Sequence, residues 1–285
     1  MSIPKLLKDI LSVKRPAFGA GEAWLAAMVK HKFKALGAYK DGYGNVYVNV
    51  DPNSRTLFSS HLDTVHREDG TFNLKIGTTT VAPAEKTQLG ADDGTGVYIM
   101  IKMIEAKVPG LYIFHRSEEI GGLGSQYIVD NLAIDFTQYD RAIAFDRKGT
   151  GDIITHQMDR CASDEFANHL STKLFVESNG ALQYRPDPTG IFTDTANYSH
   201  LIPECTNISC GYYNEHTFSE YQDLKHLEDL VAACVKVDWE SLKTVRELDA
   251  VNVQQDELES LVRKHPAIVA QLLDEMGFDP YELAY

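Results

Sequence analysis

The chain has 285 residues, 44% hydrophobic and 24% charged, with 27 Lys and Arg against 41 Asp and Glu, a net charge of −14. This is globular composition, with room for one large domain or two small ones. Its acidity disfavours phosphate backbones, so nucleic acid is not an expected partner. No apolar run is long enough to span a bilayer, so a membrane is not expected either.

Helical patterns cover 4–12 and 22–36. In the second, Leu25, Met28, Val29, Phe33 and Leu36 share one face, and Gly37 stops it. Residues 45–50 alternate as a strand, a Pro-Asn-Ser turn follows, and 56–60 is the next strand. The turn-rich stretch 71–90 predicts a hairpin from 72–76 and 79–82. A helix follows Asp92-Asp93-Gly94, with Val97, Met100, Ile101 and Ile104 inward. Next come an apolar strand at 111–114, a helix at 121–131, strands at 142–145 and 153–155, a helix at 161–170 and a core strand at 206–210. A helix is predicted from Ser219 to about Val235. Ser219 and Gln222 form its capping box, and Leu224, Leu227, Val231 and Cys234 its stripe. Beyond 240 the pattern turns acidic and helical, with Ile268, Val269, Leu272, Leu273 and Met276 on one face. Pro266 lies near the start of that last helix and Gly277 stops it.

Strands alternating with helices predict an α/β fold: three layers, α/β/α, around a mixed, largely parallel central sheet. The expected catalytic domain covers 1–240, and a helical C-terminal extension covers 241–285. Four cysteines without C-x-x-C spacing read as buried or free thiols of a reducing compartment. The N-terminus lacks the apolar core of a signal peptide, so the expected location is cytoplasmic.

Open α/β sheets bind ligands at the carboxyl ends of their strands. Five stretches place polar groups there: His61-Leu62-Asp63, Asp92-Asp93, Glu118-Glu119, Asp146 and His216. Singly, each has an ordinary reading as a surface turn, a capped helix start, a solvated loop, an ion pair or a loop histidine. Together they offer two imidazoles and three carboxylates, a set that suits two zinc ions, with cobalt or manganese as alternatives. Two adjacent carboxylates such as Glu118 and Glu119 repel, and a nearby cation accounts for their proximity.

The ordered series resembles the co-catalytic zinc exopeptidases, the group containing peptidase T, the bacterial leucine aminopeptidases and glutamate-carboxypeptidase-like enzymes. The likeness runs from about Leu6 to Val235. It is carried by Asp41-Gly42-Tyr43-Gly44-Asn45-Val46, Ser60-His61-Leu62-Asp63-Thr64-Val65 and Leu89-Gly90-Ala91-Asp92-Asp93-Gly94-Thr95-Gly96, then Glu118-Glu119, Asp146 and His216 in order. The resemblance implies that His61 and Asp146 hold one zinc, Glu119 and His216 the other, and Asp92 bridges both. It makes Asp63 the residue that orients His61, and Glu118 the general base acting on a metal-bridging water. Only residues 147–215 separate Asp146 from His216, which leaves no room for the lid or dimerisation domain of some relatives.

The expected function is therefore a dinuclear zinc aminopeptidase of small peptides, with a homo-oligomer as a further expectation. Two other readings stand beside it: a deacylase or carboxypeptidase acting on N-acylated amino acids, and a non-enzymatic binding module on the same fold. Around the metal motifs, Gly190–Tyr198 is expected to line the pocket; Asp194 reads as an acceptor for a substrate amine or, equally, with Thr193 as a helix cap, and Arg185 reads as a surface arginine ahead of a carboxylate binder.

Overall fold

A computed structural model describes residues 3–248, 262 and 265–275. The largest sheet among the described residues has eight strands. In spatial order they are Arg185–Asp187, Asp152–Ile154, Glu204–Ser209, Arg141–Arg147, Thr56–His61, Leu111–His115, Val46–Asn49 and Tyr39–Lys40. The four from Glu204–Ser209 to Leu111–His115 run parallel. Antiparallel neighbours begin at Asp152–Ile154 on one side and Val46–Asn49 on the other. The predicted mixed, largely parallel sheet is present.

Alternate side chains of the central strands feed two cores, as the two-residue period of a strand requires. Phe58, Tyr112, Phe114, Ile143 and Phe145 pack with Val97, Met100 and Ile101 of helix Ala91–Glu105 and with Leu7 and Ile10 of helix Lys5–Leu11. Leu57, Ile113, Ala142 and Cys205 point the other way and join Ile128, Phe136 and Tyr198. Cover on both faces explains why these strands are almost wholly apolar. Each fully buried large side chain contributes about 1.5–3 kcal/mol. Phe58 is the best connected aromatic. It stacks on Tyr112 at 4.8 Å and meets the Trp239 ring edge-on at 5.1 Å.

Several boundaries differ from the sequence reading. The helix expected over 22–36 spans Ala20–Lys32, and a tighter turn, Lys34–Leu36, carries the chain to Gly37 at φ 77°. The helix expected over 161–170 starts at Asp164, where the Ser163 hydroxyl accepts the Phe166 N–H, and it runs to Glu177. The predicted hairpin forms from Leu74–Ile76 and Thr80–Pro83.

The capping box of Ser219 and Gln222 does not form. Tyr221–Asp223 is a strand paired with Thr80–Pro83, and the helix spans Leu224–Cys234, with the Asp223 carboxylate capping Lys225 and His226. Gln222 is fully buried, accepting from the Thr95 hydroxyl and donating to the carbonyls of Cys210 and Asp223. Those buried bonds hold the side chain away from any capping position.

The chain divides into two compact units, Met1–Arg246 and Glu247–Tyr285. Trp239 and Leu242 belong to the core of the first, and the Arg141 guanidinium donates to both of their carbonyls. The division expected at residue 240 therefore falls inside the first unit. The second contains helix Pro266–Glu275, on which Ile268 and Leu273 are exposed. Met276 and Gly277, expected as part of its stripe and its stop, lie outside the described residues. Among the described residues no helix is long and apolar enough to cross a membrane. All four cysteines are buried and free.

Candidate metal centre

The parallel strands end together. His61 pairs with His115 across one junction, and Arg147 pairs with Ser209 across another, after a register shift. The turns leaving this edge carry Asp63, Glu118 and Glu119. The helix Ala91–Glu105 brings Asp92 over the same edge, and the loop after Tyr212–Tyr213 brings His216. His61, Asp63, Asp92, Glu118, Glu119, Asp146 and His216 thus reach one place.

The Asp92 carboxylate sits between the two imidazoles. Its Oδ1 is 3.0 Å from His61 Nε2, and its Oδ2 is 3.1 Å from His216 Nε2. Asp146 Oδ1 lies 3.6 Å from His61 Nε2, and Glu119 Oε2 lies 3.1 Å from His216 Nε2. Two triads result, His61–Asp92–Asp146 and Asp92–Glu119–His216, each with ligand atoms within 4.8 Å of one another. Glu118 Oε2 stands 4.0 Å from His61 Nε2, beside both. Asp93 does different work: its carboxylate accepts the backbone N–H groups of His61 and Gly96. The Asp92–Asp93 peptide is cis.

This donor set fits two divalent cations. Imidazole nitrogens and carboxylate oxygens converge in pairs, the buried Glu119 Oε1 has no hydrogen-bond partner, and one aspartate offers an oxygen to each triad. The electrostatics agree. Burial pulls the His61 pKa down, but Asp146, Asp63 and Asp92 more than reverse this and hold it well above the usual value. Hydrogen bonds to Asp92 and Glu119 raise His216 to about 11. Burial raises Asp146 to about 6 and Glu118 well above an ordinary glutamate, with nearby carboxylates adding to both. So much crowded negative charge around two imidazoles is the environment a cation relieves.

Each group is braced from behind. Asp146 accepts hydrogen bonds from the Thr193 hydroxyl at 2.6 Å and the Tyr212 hydroxyl at 3.0 Å, and Asn207 holds its backbone on both sides. The His61 ring faces Asp63 as the sequence suggests, but its 3.1 Å hydrogen bond goes to the Asp63 carbonyl, with the carboxylate at 3.4 Å. The Asp63 carboxylate accepts the N–H groups of Glu118 and Glu119. One residue therefore fixes both the first imidazole and the acidic pair. Ser117 at φ 61° and His216 at φ 64° adopt left-handed backbone, uncommon for such residues and frequent at functional sites.

Sequence reasoning missed the supports that come from far along the chain. Glu220 is 1% exposed, and its carboxylate accepts four consecutive backbone N–H groups, those of Leu89, Gly90, Ala91 and Asp92, at 2.7–3.2 Å. From the other side, the fully buried Arg15 donates to the Gly90 carbonyl at 2.7 Å and to those of Ile10 and Leu62. Gly90 itself is left-handed at φ 69°, and a Cβ there would meet Thr64 at 3.0 Å. Glu22, buried and bonded to Arg116 and the Ser117 N–H, holds the turn before the acidic pair. No local sequence signal marks these residues.

A prediction follows for Glu220→Gln. An amide cannot accept all four N–H groups and turns a donor toward some of them, so buried donors are left unpaired at about 1–3 kcal/mol each. The variant should lose about 2–4 kcal/mol of stability without metal present, measured by denaturant unfolding. An unchanged midpoint would show that the loop holds its shape without this carboxylate.

A cavity of about 320 Å³ opens over the triads. Its lining includes Asp92, Glu118, Glu119, Asp146 and His216 together with Ile154, Gly190, Ile191 and Phe192. The expected pocket stretch thus contributes its first residues only. Asp194 is fully buried behind the site, 3.3 Å from His115 Nδ1, and does not line the cavity; burial raises it to about 7. Arg185 is exposed on the outermost strand.

No protein-family model matches the sequence, and no curated protein matches it. Solved structures do match. The aminopeptidase PepT from Bacillus cereus superposes with a TM-score of 0.65 at 15% identity, over 80% of this chain and 95% of that one. A tripeptidase from Staphylococcus aureus gives 0.63 at 16% identity, over 81% and 95%. The TET1 peptidase of Pyrococcus horikoshii, which can assemble into a tetrahedron or a large octahedral shell, gives 0.60 at 15% identity, over 81% and 97%. By these superpositions the chain has the fold of these peptidases.

Proposed function

We propose that the chain is a dinuclear metallo-aminopeptidase acting on small peptides. The observation that carries this reading is Asp92, one carboxylate facing two separate imidazole–acid groups, with the Glu118 carboxylate beside them. His61, Asp146 and Asp92 would hold one ion, and Glu119, His216 and Asp92 the other. Zinc suits this donor set, with cobalt or manganese as alternatives. When bound, the pair would acidify water and polarise the scissile carbonyl.

The chain's own groups do the rest. Glu118 is buried among carboxylates, so its proton affinity exceeds that of an ordinary glutamate. It can take a proton from attacking water and keep it for the leaving amine, as a general base must. Its main chain is fixed by Asp63, which keeps the carboxylate over the cavity rather than in solvent. Thr193 and Tyr212 hold both oxygens of Asp146, so that ligand keeps one orientation. The apolar wall of Ile154, Ile191 and Phe192 offers a place for the side chain of the N-terminal residue.

The test compares a free-amine dipeptide with its N-acetylated form, using protein loaded with zinc, cobalt or manganese. The free-amine peptide should be cleaved and metal analysis should find about two ions per chain. Cleavage of only the acetylated form would move the chain to the deacylase reading. Absence of bound metal after loading would remove the enzyme reading altogether.

A further inference from the structure

The cavity lining also carries Arg147 and Lys148, the two residues directly after the ligand candidate Asp146. The other charged side chains of the lining are acids or His216. We propose that Arg147 and Lys148 form a carboxylate-binding subsite, so that the favoured substrates are short zwitterionic peptides, with the ammonium at the acidic pole and a carboxylate at the cationic one. This rests on the peptidase reading above and adds the class of substrate.

The two side chains keep donor capacity for a ligand. Arg55 shows what a satisfied arginine looks like in this chain: it forks onto Asp140 through both Nε and Nη2. Arg147 makes no such fork. Its Nε reaches Asp152 at 3.4 Å, its Nη2 donates to the Thr189 hydroxyl at 2.9 Å, and Asp187 is no nearer than 3.9 Å. A guanidinium has five donors in a plane that matches a carboxylate edge. Lys148 makes one ion pair, to Glu215 at 2.7 Å, and is half exposed. An ammonium has three donors, so the pair leaves others for a ligand.

Charge balance points the same way. Two divalent cations would neutralise Asp92, Glu118, Glu119 and Asp146, leaving Arg147 and Lys148 against Glu215 among the lining charges. A carboxylate entering the loaded cavity is then drawn to those two side chains. The same lining includes the apolar side chains of Ile154, Ile191 and Phe192. At about 320 Å³ the cavity is at the small end for ligand sites, which suits a ligand of a few residues at most.

The carboxylate could belong to the chain end or to an acidic side chain, and three substrates separate these: Leu-Ala, Leu-Ala-amide and Leu-Asp-amide. With metal-loaded protein at low salt, kcat/KM for Leu-Ala should exceed that for Leu-Ala-amide by about 10- to 100-fold, the scale of a desolvated charge-assisted hydrogen bond. A matching gain for Leu-Asp-amide over Leu-Ala-amide assigns the subsite to side chains as well. The ratio should fall toward 1 in Arg147→Ala, and Lys148→Glu, at an exposed position that tolerates change, should invert it. Equal cleavage of Leu-Ala and its amide by the unaltered protein overturns the proposal. So does a preference that survives both substitutions. If none of the three is cleaved, the peptidase reading fails, and calorimetric binding of Leu-Ala against its amide still decides the subsite: equal affinity overturns it, and tighter binding of Leu-Ala that is lost in Lys148→Glu upholds it.

Discussion

Glu118→Gln should keep its metal and lose turnover by about 10²–10⁴-fold, the usual contribution of a positioned acid–base group. The substitution is nearly isosteric, and the Glu118 N–H that Asp63 holds is a main-chain group the change leaves in place. Neither triad contains Glu118, so metal content should stay at the unaltered level. Because the carboxyl is buried among Asp146, Asp194 and Asp92, its replacement by a neutral amide also removes charge repulsion, and the variant should be no less stable. The measurements are kcat on a cleaved dipeptide, metal per chain and a melting curve. Full activity with full metal content would take the proton-transfer role away from Glu118.

Asp92→Ala should have the largest effect on metal. The two oxygens of this side chain face different imidazoles, so removing it weakens both triads at once. The metal content should fall from about two ions per chain to below one, and turnover should fall below detection. His216→Ala provides the contrast: it belongs to one triad only, and one ion should remain. Metal analysis after exhaustive dialysis distinguishes the two. If Asp92→Ala loses one ion and keeps the other, the carboxylate is not shared, and the dinuclear arrangement must be redrawn.

The candidate centre was legible because several of its residues end or follow strands with a strong local pattern. Thr56–His61, Leu111–His115 and Arg141–Arg147 are recognisable as buried apolar runs, and parallel strands of one sheet deliver their ends to one edge. Asp92 and Asp93 show the limit of that logic. Both are acids at a helix start, yet one faces the imidazoles and the other pairs with main-chain N–H groups. Local pattern does not separate them; the choice of Asp92 came from resemblance.

What stayed hidden depends on contacts distant in sequence. Glu220 reaches the Asp92 N–H across 128 positions, and Arg15 reaches Gly90 across 75. No periodicity encodes such pairs, because a single side chain meets main-chain groups far along the sequence. The capping box failed for the same reason. Ser219 and Gln222 have the right spacing, but Gln222 is taken by Thr95 and Cys210 from other elements, and tertiary hydrogen bonds outrank a local cap. The end of the first compact unit was displaced likewise: Arg141, in a central strand, reaches out to the carbonyls of Trp239 and Leu242.

The two imidazoles differ sharply in exposure. His61 is 1% accessible at its side chain and His216 is 49%. A chelator can approach the second imidazole directly, whereas the first is buried. On the proposed two-ion reading, an ion at the outer position would exchange with its surroundings faster than one at the inner position. If the two-ion reading holds, unequal seating of this kind would turn a pair of chemically similar positions into a resident and a visitor.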